Sequence, residues 1–129
     1  MKKQIHAIVI ALGVMYLLGI ATSLYVPFEE SASREDQFHT AMTHFLSAAH
    51  IIVGVGLLLN AIGLLVQARK TTEPGLKPAL WVGFVAILLA AWSGSEFVGQ
   101  QNDAYSLSMA FFFIVALFAY GWALLPRQK

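Results

Sequence analysis

The chain has 129 residues, of which 58% are hydrophobic and 12% charged, with no cysteine and a formal net charge of +1. A soluble domain carries about twice that charged fraction, and a chain this short cannot hide so much apolar side chain in one core. A soluble enzyme, a disordered regulator and a nucleic-acid binder are therefore excluded. There is no basic footprint for phosphate, and no disulfide framework, thiolate metal site or thiol redox chemistry. What remains is a small integral membrane protein.

A bilayer core about 30 Å thick needs around 20 apolar residues per helix. Four stretches meet that length: Ala7 to Val26, Phe45 to Val66, Pro78 to Val98 and Tyr105 to Leu125. The runs are too long, and lack the period-two alternation, for a membrane barrel. Short connections make consecutive helices antiparallel neighbours. The expected fold is thus all-α, a single antiparallel four-helix transmembrane bundle.

The first span, with Lys2 and Lys3 before it and the small residues Ala21 and Ser23 near its end, also has the layout of a secretory signal. We expect it to be kept as a helix. The second helix is expected to begin ahead of the bilayer, with Asp36 to Thr40 as its cap, and to run unbroken to Gln67. Thr71 to Gly75 reads as an ordinary turn.

Charge sets the orientation. Lys2, Lys3, Arg69, Lys70, Lys77, Arg127 and Lys129 fall on one side, with Glu73 as the sole acid. Glu29, Glu30, Glu35, Asp36 and Asp103 fall on the other, with Arg34 as the sole base. The positive-inside rule then puts both termini in the cytoplasm, in the inner (plasma) membrane of a bacterium or archaeon. Tyr25, Trp92 and Tyr105 would mark the outer interface, and Trp81, Tyr120 and Trp122 the inner one.

Polar and small residues in a membrane helix mark the face packed on other helices. On the second helix His39, Thr43, Ser47, His50, Gly54, Leu57 and Ala61 recur at steps of three and four, forming one stripe from which His44 departs. On the third, Ala86, Ala90 and Gly94 form a ladder of small residues. Both patterns also serve as plain helix-packing seams.

Ionisable residues inside a membrane are costly, and each is a functional candidate. His50, Glu96 and Met109 come out at a similar depth in the outer half of the bundle. Neutral imidazole is a good ligand for haem iron, and His/Met is a known axial pair. Gly54, one turn from His50, would leave room for a flat macrocycle, with Ser47 also lining the pocket. His39 and His44 share a helix with His50, so neither can clamp the opposite face of a porphyrin. The partner ligand is then Met109 or another protomer's His50. The competing reading is a buried histidine bonded to Ser, Thr, Glu96 or a backbone carbonyl.

Two weaker ideas remain. His39, His44 and Glu96 have the chemistry of a surface zinc or copper site, but the two histidines are turned about 140° apart on a helix. Glu96 alone could relay a proton or cation in a small transporter, or be a solvated carboxylate near the headgroups.

The segment His50-Ile51-Ile52-Val53-Gly54, followed by an apolar run and Gln67-Ala68-Arg69-Lys70, resembles one half of a haem A synthase, as does the region of Ser93 and Gly94. The resemblance covers the second to fourth helices. It implies a b-type haem held by His50. The family's second histidine falls in the stretch Tyr105-Ser106-Leu107-Ser108-Met109-Ala110, where this chain has none and Met109 is the candidate ligand. The leading expectation is a small cytochrome b-like protein, for electron transfer or sensing. The alternative is a non-catalytic accessory or assembly subunit of a larger membrane complex. The partners expected are the lipid bilayer and either a membrane redox complex or a second copy.

Overall fold

The computed structural model describes residues 1–29 and 31–125. Glu30, Arg127 and Lys129, which enter the charge argument, lie outside the described residues. Regular structure within them is helical: α1 (Lys2–Tyr25), α2 (Arg34–Thr43), α3 (Phe45–Ala68), α4 (Leu76–Gln100) and α5 (Asp103–Leu124). The four expected spans fall on α1, α3, α4 and α5, each long and apolar enough to cross a membrane.

The second expected helix is corrected. It does not run unbroken to Gln67 but divides at His44, whose backbone is extended at φ −77° and ψ 128°. Local polar groups close both new ends. The His44 Nδ1 accepts from the Leu46 N–H at 3.4 Å, and Ser47 Oγ donates to the His44 carbonyl at 3.1 Å. Thr43 Oγ1 donates back to the His39 carbonyl at 2.8 Å, a bond of the kind that bends helices. No glycine or proline marks the place. The start shifts as well: Ser33 is the N-cap, its Oγ accepting from the Asp36 N–H at 3.2 Å, with Glu35 and Asp36 in the positive first turn.

Elsewhere the turns follow their residue chemistry. Gly75 takes the left-handed conformation before α4 (φ 74°), and Pro78 sits in the first turn, where its missing N–H costs nothing. Between α4 and α5, Gln101 is left-handed (φ 50°) and Asn102 caps α5, its Oδ1 accepting from the Ala104 N–H at 2.9 Å.

The four long helices form a ring in which α1 packs on α3, α3 on α4, α4 on α5 and α5 on α1. The diagonal pairs, α1 with α4 and α3 with α5, do not approach within 8 Å between Cα atoms among the described residues. The α4–α5 seam is the most extensive, and α2 lies against α3 and α4. Glycine explains the closeness of α4 and α5. At Gly83 the Tyr120 ring occupies the space a side chain would take, and Tyr120 is fully buried. Tyr120 therefore points into the core rather than serving in an interfacial belt.

Outward faces are apolar. Leu17, Phe45, Ile52 and Phe118 are each about two-thirds or more exposed. Such a surface belongs in lipid, where helices satisfy their own backbone groups. Four helices of this length and hydropathy are compatible with a small membrane protein.

Candidate functional site

The fully buried apolar cluster does not extend through the whole bundle. It stops at Leu12 on α1, Leu57 on α3, Ile87 on α4 and Ala116 on α5. Past those limits the helix seams carry different chemistry: Met15, Gly19 and Thr22 on α1, Ser47, His50 and Gly54 on α3, Ser93 and Gly94 on α4, and Ser108 and Met109 on α5. Ser47 and Ser93 are buried, while His50, Gly54, Gly94 and Met109 are only partly so. Bulk aliphatic packing gives way to small, polar and thioether groups toward the α2 end.

His50 belongs to the α1–α3 seam. Its Cε1 stands 3.4 Å, and its Nδ1 3.8 Å, from where a Cβ on Gly19 would be. The Nδ1 is buried without a hydrogen-bond partner, and so is Thr22 Oγ1 on the facing helix. Gly54, expected to leave room for a macrocycle, lies under Met15, whose Cε is 3.2 Å from a built Cβ position. Ser47, expected to line the pocket, turns its hydroxyl to the His44 carbonyl.

Met109 belongs to the α4–α5 seam, its Sδ 3.0 Å from where a Gly94 Cβ would be. One residue away, Ser93 and Ser108 share a hydrogen bond at 3.1 Å. His50 and Met109 thus sit on diagonal helices with no Cα atoms within 8 Å of each other among the described residues, each against a glycine of a neighbouring helix.

The other candidates have settled local roles. Glu96 accepts from Arg34 at 3.2 Å and from Gln100 Nε2 at 2.5 Å. Gly99, one turn on, makes room for the Arg34 side chain. The carboxylate thereby ties α2 to α4. His44 is the cap between α2 and α3, and His39 is exposed on α2. Among the described residues no group of three or more His, Asp or Glu side chains is arranged to hold a metal ion.

On the first helix Met15 and Gly19 meet α3, with Thr22 at the next helical step. Their steps of four and three residues were the available signal. Asn60 on α3 has its Oδ1 buried without a partner.

Comparison with known protein families, with curated proteins and with solved structures finds no match.

Proposed function

We propose that the protein is a multi-pass b-type haem protein of a bacterial or archaeal plasma membrane, an antiparallel four-span bundle with both termini cytoplasmic. His50 and Met109 are the residues that would hold the haem iron. The reading draws on an imidazole on α3 and a thioether on α5, both in the part of the bundle where the aliphatic core has stopped. Antiparallel order is supported by the seam contacts. Gly19 meets His50 while Met15 meets Gly54, and Gly83 meets Tyr120 while Gly94 meets Met109.

The residues present fit the group. Imidazole and thioether form an established axial pair, and glycine backs each ligand's side chain. Met15 must leave the face of Gly54, which a flexible thioether side chain does readily. Bound there, haem supplies one-electron chemistry, for transfer or sensing near the outer face. The chain's own part is to present the two ligands from separate helices and to keep bulk water from them with its apolar exterior. Glu96 takes no part, because Arg34 and Gln100 occupy it.

The test is titration of haem into detergent-purified protein. A saturable Soret shift should be lost in His50→Ala, and Met109→Leu should keep binding but change the reduced spectrum. Binding that survives His50→Ala unchanged would remove His50 from the site.

A second reading, an accessory subunit, draws on an open, apolar groove between α4 and α5 lined by Trp81, Val85, Leu89, Phe111 and Val115. It predicts a colourless protein that co-purifies with a defined membrane partner.

A further inference from the structure

Thr22 Oγ1 on α1 and His50 Nδ1 on α3 are buried without hydrogen-bond partners. Buried polar groups are almost always hydrogen-bonded, so each calls for an account. Both lie toward the α2 end of the bundle on helices that pack together, Thr22 about one turn beyond the level of His50. Gly19 lies opposite His50, and Thr22, three residues further along α1, shares the face of Gly19. A helical threonine commonly spends its hydroxyl on a carbonyl of the preceding turn; here it makes no such bond.

Other polar side chains toward this end of the bundle have partners other than His50. Ser47, a turn before His50 on α3, donates to the His44 carbonyl, and the His44 ring accepts from Leu46. Glu96 is held by Arg34 and Gln100.

We propose that Thr22 is a positioning residue for His50, its hydroxyl accepting a hydrogen bond from the His50 Nδ1–H. The two groups are not joined in the structure as it stands, and side-chain rotation is the change required. Neutral imidazole has one N–H and one bare nitrogen. A bond from Nδ1–H fixes the tautomer and leaves Nε2 bare, which is how metal-binding histidines are oriented and made more basic. This use of the bond rests on the haem reading, but the bond itself does not.

The experiment separates the two. In the haem-free, isotope-labelled full chain in detergent, ring nitrogen shifts of His50, identified with His50→Gln, report the tautomer at alkaline pH, where the ring is neutral. Wild type should hold the proton on Nδ1. Thr22→Val should move it toward Nε2, and Thr22→Ser should restore it. A wild-type ring already protonated on Nε2, or a tautomer unchanged by Thr22→Val, overturns the inference. In haem-loaded protein, Thr22→Val should keep a Soret band while weakening affinity by about 10-fold and shifting the midpoint potential. A wild-type protein that takes up no haem sinks the proposed function and leaves the tautomer result to stand or fall by itself.

Discussion

Gly83 on α4 and Tyr120 on α5 are packed so closely that a Cβ at position 83 would stand 2.6 Å from the Tyr120 Cε2 and 2.9 Å from its Cζ. The ring is fully buried, so it has no free space to swing into. Gly83→Ala should cost about 1–3 kcal/mol, the usual penalty for overpacking, read as a lower thermal midpoint in detergent. Tyr120→Phe should behave in the opposite way. The hydroxyl is buried without a partner, so removing it should leave stability unchanged or raised. A loss of about 1 kcal/mol or more would mean the hydroxyl is bonded after all.

Arg34 and Glu96 make a different kind of contact. The arginine is half exposed, and such pairs contribute little to global stability. Its work is local, since it ties the polar helix α2 to the end of α4. Glu96→Gln should therefore leave the unfolding midpoint nearly unchanged while amide exchange in α2 becomes several-fold faster, with α3 to α5 unaffected. High salt should reproduce the effect in the wild type. Loss of protection throughout α4 would show instead that the carboxylate supports the bundle itself.

The helices and the site were unequally legible in the sequence. The four spans were plain, because hydrocarbon demands an uninterrupted apolar run of set length. The break at His44 was not, because the groups that close it, His44 Nδ1, Thr43 Oγ1 and Ser47 Oγ, are side chains whose capping role appears only with the chain's path. The stripe from His39 to His50 was accordingly drawn across two helices. Tyr120 was assigned to an interface on residue type alone, whereas the hole left by Gly83 decides its direction. His50 and Met109 were found from rarity and depth, but their neighbours Gly19 and Gly94 depend on which helices adjoin.

Topology can be tested with thiols, since the chain has no cysteine of its own. Lys3→Cys, Ser31→Cys, Thr72→Cys and Ala104→Cys each fall at an exposed site. In intact cells an impermeant maleimide should label the variants at 31 and 104 and spare those at 3 and 72, as the charge asymmetry requires. The reverse pattern would invert the bundle. Labelling at 3 together with 31 would remove α1 as a span.

The proposal that the α2 end of the bundle holds haem through His50 and Met109 has a decisive spectroscopic test. The most direct measurement is the visible spectrum of the full chain purified in detergent from haem-replete cells, oxidised and then reduced with dithionite. The account predicts a Soret band that shifts on reduction, with sharp α and β bands that are lost in His50→Ala. A colourless protein from such cells would contradict it and leave His50 as a packing residue of the α1–α3 seam.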